Sequence, residues 1–382
     1  MNSVIGYYTT QFGEIWEKSL YDLVLESIQG ALNQVKLNVP QIDAIFYANM
    51  MSGVLGNNLH ANAKIAELLK TNIPIFRVEA ACASGGMAFQ LANTYLAANK
   101  NKTVLVVGAE KMTDYSPEQT TTALSSAASG EEQEAGITFP GLYAMLANVY
   151  MSTYKATEED LAHVPVKNHL HGTLNNKAHF QKKINVEQVM KSAYIAHPLK
   201  VLDCSPISDG AATVVLTNNT PHTKTNKKAT VHACEIATDS ISLKGRTHLD
   251  RLMATQIAAD KAFKTAGIKR ADISIAELHD CFSIAEILAM EDIGFWKKGT
   301  GGKEILTGST TYGSGGNLIV NTSGGLKAAG HPVGATGIKQ IGEIYLQLTG
   351  QAEKRQVTNP SYGLAHNVGG SGGTAVVSIL GI

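Results

Sequence analysis

Cysteine is scarce in this chain and scattered where it occurs: Cys82, Cys204, Cys234 and Cys281 form no Cys-x-x-Cys pair. That spacing excludes a zinc ribbon and a disulfide framework, and isolated thiols fit a reducing compartment. An excess of either charge is missing too, since Lys plus Arg number 32 and Asp plus Glu number 32. A zero net charge argues against bulk attraction to nucleic acid or an anionic membrane; only a local basic patch for a phosphorylated ligand stays open. No apolar run is long enough for a membrane span. The opening MNSVIGYYTTQFGEIWEKSL lacks the pattern of a signal peptide, and the closing VVSILGI is neither a peroxisomal nor a retention address. The expectation is a cytoplasmic protein. Pro- or Ser-rich linkers are also absent, so the parts are expected to pack as one body.

Glycine, by contrast, is plentiful, with 36 residues, and its clusters GSGG, SGGLKAAGHPVGATG and NVGGSGGT mark places where backbone must approach a ligand or other backbone. The runs AIFYANM, TVLVVGAE, ATVVLTN, ATVHACEIA, ISIAEL and TAVVSIL read as buried strands. Helical patterns alternate with them. LYDLVLESIQGALNQ puts Leu20, Leu23, Val24 and Ile28 on one face; GGMAFQLANTYLAAN spaces Met87, Leu91 and Tyr95 four apart; IKQIGEIYLQL repeats the pattern. The alternation predicts an α/β fold. A helix opening after small residues occurs twice, in ACASGGMAFQLANTYL and GHPVGATGIKQIGEIYLQL, followed by TVLVVG and TAVVSIL respectively, which suggests a duplicated unit. Residues 116–200 are more polar and helical and read as an insertion. The predicted division is 1–115 with 201–225, the insertion 116–200, and 226–382.

Three places could carry chemistry. Cys82 precedes a Gly-rich helix start, where the helix dipole and free N–H groups favour thiolate; the plainer alternative is a small buried cysteine. His331 is held between glycine and proline with Gly330, Gly334 and Gly337 around it, fit to be a base for a thiol or a donor to an oxyanion, or else an exposed turn histidine. His279, Asp280 and Cys281 stand together before a helix carrying Ile284, Ile287 and Leu288; the alternative is a capping aspartate beside a packed cysteine. GSGGTA at 370–375 fits a dinucleotide fingerprint only in letters, because a strand follows it. His163, His169, His171 and His179 read as surface histidines rather than a metal site, and Cys204 and Cys234 as structural.

Taken in order, CAS with its glycine pair, GAEKM, SDGAATVVL, GHPVGATG and the terminal Gly-rich strand resemble the thiolase family over nearly the whole chain. The resemblance implies a thiolase-like fold of two duplicated βαβαβ-type halves, layered α-β-α-β-α, with an inserted loop domain over coenzyme A. It makes Cys82 the nucleophile. Where the family usually has a second cysteine near the C-terminus this chain has Asn367, and the loop that often reads Asn-Glu-Ala-Phe is His-Asp-Cys-Phe. That is the pattern of sterol-carrier-protein-type and archaeal-like thiolases, and it assigns the acid/base thiol to Cys281. His279 and His331 then hold the enolate oxygen, and the N–H groups of Cys82 and Gly369 hold the tetrahedral one. Tyr143, Met145 and Asn367 fall at the acyl pocket; basic residues of the insertion or of SLKGRTH would meet CoA phosphates. The implied activity is acetyl-CoA C-acetyltransferase, in lipid metabolism, on acetyl-CoA or other acyl-CoA, without metal or resident cofactor. The implied assembly is a homodimer or homotetramer, with a hydroxymethylglutaryl-CoA synthase as a further partner. Two other readings are a ketoacyl-synthase-like condensing enzyme, which needs no proton-abstracting thiol, and a non-catalytic acyl-CoA-binding subunit, which would not need all four reactive side chains.

Overall fold

All six apolar runs form strands in the computed structural model, which describes residues 1–219 and 227–382. The predicted boundary at 225 and 226 lies outside the described residues. The strands are β1 (Ser3–Thr9), β2 (Ala44–Ala48), β3 (Ile75–Val78), β4 (Thr103–Glu110), β5 (Tyr194–Ala196), β6 (Leu199–Lys200), β7 (Gly210–Thr217), β8 (Ala229–Thr238), β9 (Ile273–Glu277), β10 (Ile319–Val320), β11 (Tyr362–Gly369) and β12 (Thr374–Gly381). Hydrogen bonds run through ten of them in the order β10-β9-β11-β12-β8-β1-β7-β4-β2-β3. Numbered within each half, both halves read 3-2-4-5-1, so the duplication is topological. The halves meet edge to edge through the short pairing of Ser3 with Thr230 and Val4 with Ala229.

This repeat corrects one detail of the predicted symmetry. TAVVSIL is β12, the counterpart of β7; the counterpart of β4 is β11, which pairs with β9 and β12. The glycine, histidine and asparagine of YGLAHNVG hide that strand from a β-branched pattern search, because its side chains serve the site as well as the core.

Two helices, Ser84–Ala98 and Val333–Leu348, lie against each other and each touches strands of both halves. Helix Leu20–Val35 covers β1, β7 and β4 on one outer side, and Met253–Ala266 covers β8 and β12 on the other. The layering is therefore α-β-α-β-α. The apolar face of Leu20–Val35 is as expected, with Leu23, Val24 and Ile28 buried, and Ser19 opens it by accepting from the Asp22 N–H while the Asp22 carboxylate accepts from the Ser19 N–H. The face of Ser84–Ala98 is not. It buries Gly85, Gly86, Ala88, Phe89, Ala92 and Leu96, whereas Leu91 is 41% exposed and Met87 and Tyr95 sit at the margin. A helix enclosed by two sheets and a partner helix needs small side chains: a Cβ on Gly85 would lie 2.9 Å from Gly337 Cα.

Residues 116–200 contain helices Pro117–Ser125, Gly130–Glu134, Phe139–Tyr154, Glu158–Gly172 and Val186–Lys191 and the β5–β6 hairpin. Leu142, Tyr143, Leu146, Tyr150 and Leu161 of this segment share a core with Ile284, Ile287 and Leu288 of helix Ser283–Ile293. The histidines of Glu158–Gly172 are not surface groups. His169 and His171 are buried, and His171 joins the Asn321 carbonyl at 3.0 Å and accepts from the Tyr312 N–H at 2.8 Å. His163 and His179 are half-buried. The helix lies across the second half, so its polar-looking face turns inward. Among the described residues no helix is long and apolar enough to cross a membrane.

Candidate active site

Cys82 sits in the tight turn between β3 and helix Ser84–Ala98. Ala81 takes a left-handed conformation there (φ 51°), a strained one for a residue with a Cβ. Ser84 closes the turn: its hydroxyl accepts from the Ala80 N–H at 2.9 Å and donates to the Ala81 carbonyl at 2.5 Å. The thiol is half-buried at the mouth of the helix. Burial pushes its pKa up to about 12, while the N–H groups of Gly370 and of Cys82 itself pull toward thiolate. At neutral pH it is a thiol and needs a base.

The imidazole of His331 stands close by. Gly330, at φ 103°, brings the chain so close to Ser208 that a Cβ would lie 2.8 Å from its hydroxyl oxygen. His331 Nδ1 is 2.7 Å from Thr336 Oγ1, and that hydroxyl donates to the Pro332 carbonyl at 3.0 Å. Its only proton is spent, so it accepts from Nδ1–H and leaves the lone pair of His331 on Nε2. Burial, with the Lys339 ammonium, lowers the His331 pKa to about 3. The ring is neutral at physiological pH.

His279 has the opposite tautomer. Asn367 Oδ1 accepts from the Gly86 N–H at 3.0 Å, which fixes the amide; its Nδ2 donates to the Cys82 carbonyl at 2.9 Å and approaches His279 Nδ1 at 3.2 Å. Nδ1 of His279 must accept, so Nε2 carries the proton. Burial first, then His331, His366 and Lys339, push its pKa well below the usual range. The rings of His279 and His331 stand edge to face, 5.1 Å apart, and the Cys82 sulfur and a nitrogen of each ring lie within 4.8 Å of one another.

Cys281 precedes helix Ser283–Ile293 and is buried. It lines a cavity of about 440 Å³ together with Cys82, His331, Gly370, Tyr143 and Cys204. Leu124, Phe139, Ile195, Ile207 and Val333 make the rest of that wall apolar. Asp280 does not cap the helix that follows it. Its carboxylate accepts from the N–H groups of Leu326 at 2.6 Å and Lys327 at 3.1 Å and from Asn168 Nδ2 at 2.7 Å, tying the His-Asp-Cys-Phe loop to the segment leading into His331.

Several expectations change here. Gly370, next to Gly369, presents its N–H to the Cys82 sulfur, and both glycines line an adjoining cavity. Met145 is 45% exposed and is not on the cavity wall, because two residues along a helix turn a side chain to the far side from buried Tyr143. Asn367 is buried behind Cys82, bonded on both amide atoms, and does not line the cavity either. Arg246 of SLKGRTH is spent on Ser371 and the Ser240 carbonyl, and Lys244 is paired with Glu131 at 3.0 Å. Cys204, read as structural, is half-buried on the cavity wall with its thiol on the Lys200 carbonyl; Cys234 is indeed a buried β8 residue beside Ser378. Thr336 was missed altogether: GHPVGATG contains it, but nothing in the letters says which histidine nitrogen it holds.

The family model described as thiolase, N-terminal domain, matches residues 3–220, and that described as thiolase C-terminal domain-like matches residues 236–382. The chain belongs to the thiolase family. An acetyl-CoA acetyltransferase of Methanothermobacter thermautotrophicus is 44% identical, over 99% of this thiolase and 98% of that protein. Sterol carrier protein 2 of Rattus norvegicus is 33% identical over 81% of this chain and 58% of its own length. Among solved structures the Ltp2-ChsH2(DUF35) aldolase superposes with a TM-score of 0.85 at 21% identity, covering all of this thiolase and 97% of that chain. That likeness is one of fold alone; the chemistry has to be argued from the site.

Proposed function

We propose that this thiolase is an acetyl-CoA C-acetyltransferase, joining two acetyl-CoA into acetoacetyl-CoA and CoA and running the reverse thiolysis on the same groups. One observation carries the reading: two thiols, Cys82 and Cys281, line one cavity, with His331 on its wall and His279 clustered with Cys82. Its full-length relative of 44% identity bears that activity in its name.

Cys82 attacks the first acetyl thioester as His331 Nε2 takes its proton. The tetrahedral oxygen is met by the N–H groups of Cys82 and Gly370. CoA departs with a proton from Cys281, leaving a thiolate there and an acetyl group on Cys82. That thiolate removes a proton from the methyl group of the second acetyl-CoA, and the enolate oxygen is held by His279 Nε2–H and the now protonated His331. The carbanion attacks the acetyl carbon; as acetoacetyl-CoA leaves, Cys82 recovers its proton from His331. Every proton returns, and because CoA leaves an acetyl-enzyme behind before the second acetyl-CoA reacts, the kinetics are ping-pong. The reaction needs no resident cofactor, because side chains and backbone provide both oxyanion sites. In this reading the segment 116–200 covers CoA, and the enzyme works in the cytoplasm as a homodimer or homotetramer, with a hydroxymethylglutaryl-CoA synthase as a possible client for its product. A ketoacyl-synthase-like reaction would leave Cys281 without a task.

The test is intact-protein mass spectrometry after mixing with 4-nitrophenyl thioacetate, whose leaving group departs without a proton from Cys281, alongside CoA-dependent turnover of acetoacetyl-CoA. Wild type and Cys281→Ala should both gain an acetyl group, only wild type should turn over, and Cys82→Ala should do neither. Acetyl attached to Cys82→Ala, or normal turnover by Cys281→Ala, would contradict the assignment.

A further inference from the structure

The proton route asks Cys281 to become a thiolate in a place that resists it. Burial, with the nearby Cys82 and Asp280, pushes its pKa well above the ordinary thiol range. One hydroxyl beside it is unused by the mechanism. Tyr143, 1% exposed, reaches the cavity from helix Phe139–Tyr154 of the inserted segment, its ring centroid 4.6 Å from that of Phe282. Its O–H donates to the Gly370 carbonyl at 3.1 Å, and Cys281 lies on the same cavity wall, close enough for the phenol to pull its thiol toward thiolate. The other groups facing this pair are Cys82, Asp280, Cys204 and His331 around the thiol and Arg246 behind the phenol.

We propose that Tyr143 is a catalytic residue of the condensation step, a hydroxyl that turns from the Gly370 carbonyl to the Cys281 sulfur as that sulfur becomes anionic. The inference rests on the acid/base role of Cys281. A hydroxyl has one proton. While Cys281 is a thiol, that proton serves Gly370, whose N–H faces Cys82. When Cys281 gives its proton to departing CoA, the thiolate becomes the stronger acceptor and the O–H rotates to it by a change of torsion alone. No proton leaves Tyr143, whose pKa is itself raised well above the usual phenol value by burial and by Cys281. The hydrogen bond is made to the charged form only, so it favours thiolate. Once the thiolate has taken the substrate's α-proton, the hydroxyl returns to Gly370. An inserted segment that covers CoA would thus also complete the acid/base site.

Tyr143→Phe keeps the ring and removes the donor. Three quantities are compared in the full-length protein. They are acetyl transfer to Cys82 from 4-nitrophenyl thioacetate, whose leaving group departs without a proton from Cys281, deuterium uptake into acetyl-CoA in heavy water, and the pH profile of Cys281 alkylation by iodoacetamide in a Cys82→Ala background. A hydrogen bond to a charged acceptor corresponds to roughly 10- to 100-fold, so deuterium uptake and turnover should fall by that factor. The alkylation profile should move to higher pH by about one to two units, while acetyl transfer changes by less than about threefold. An unmoved alkylation profile overturns the proposal. So does an equal fall in acetyl transfer and deuterium uptake, which would mean that the hydroxyl only braces Gly370. Should Tyr143→Phe fold poorly, Tyr143→Met supplies the same comparison. Cys281→Ala separates the two layers of argument: normal turnover by that variant removes the acid/base reading itself, whereas a dead Cys281→Ala beside an unaltered Tyr143→Phe removes only the role of Tyr143.

Discussion

His331 has two ring nitrogens, and the chemistry needs the lone pair on the one facing Cys82. In the proposed mechanism that choice falls to a residue with no chemistry of its own. Thr336 bonds the Pro332 carbonyl one turn back, as helical threonines do, and so can only accept from Nδ1–H. Thr336→Val would bury that N–H without an acceptor, at a cost of about 1–3 kcal/mol, and free the ring to exchange tautomers. Single-turnover acylation of Cys82 should slow about 10- to 100-fold in Thr336→Val and stay near wild type in Thr336→Ser. Equal rates for the valine variant and wild type would show that the tautomer is held some other way. At this scale the sequence was legible where a reactive side chain sits against glycines or a helix start, as Cys82, Cys281 and His331 do. It was silent where a common polar side chain works through its hydrogen bonds, as Thr336 does, and it put Asn367 in the acyl pocket rather than behind Cys82.

Two helices meet at the centre of the fold with almost nothing between their backbones. A Cβ on Gly337 would lie 2.3 Å from the Gly86 nitrogen and 2.4 Å from Asn367 Oδ1, neither of which is free to retreat. Gly337→Ala should therefore lower the unfolding midpoint, by the equivalent of about 1–3 kcal/mol, and also slow acylation, because Asn367 ties that contact to the Cys82 carbonyl and to His279. Gly130→Ala is the control. It opens helix Gly130–Glu134 with no atom within 4 Å of the added methyl, and is expected to be neutral or slightly stabilising in the same thermal melt. A Gly337→Ala protein as stable and active as wild type would refute the close-contact argument. The same crowding explains why the face of Ser84–Ala98 was misread. Periodicity searches look for large apolar residues, and the helix selected for closeness carries glycine and alanine there instead. Strands rich in Val and Ile were found; the four of the ten-stranded sheet that were passed over, β1, β3, β10 and β11, are short or carry polar and glycine residues, and the short β5–β6 hairpin was passed over with them.

Across the whole molecule, buried titratable groups of two kinds oppose each other. His169 is lowered to about 4, and His171, His331 and His366 to about 3, all mainly by burial. Against them, burial raises Glu110 to about 7 and Asp292 to about 6. For the histidines the native state binds fewer protons than the unfolded chain, whose imidazoles titrate near about 6.5, so acidification costs stability. For the carboxyls the native state binds more, so acidification first adds stability. The carboxyl gain is complete once unfolded carboxylates also protonate, near about pH 4, whereas the histidine loss continues until the native rings themselves charge. Four such histidines outweigh two such carboxyls, so the urea midpoint should begin to fall as pH drops through about 6.5 and keep falling below about pH 4.5. A midpoint that stays flat from about pH 7 to about pH 5 would mean that the histidines lie nearer their ordinary range, and the neutral His331 on which the proposed base role depends would go with it. None of this was legible in the sequence. Composition counts 12 histidines and 32 carboxylates, but which of them are buried depends on an inserted segment lying polar side inward across the second half. That arrangement also sets the acid limit of the catalytic site: as long as the core keeps His279 and His331 neutral, the Cys82 base survives to a lower pH than a solvent-exposed imidazole would.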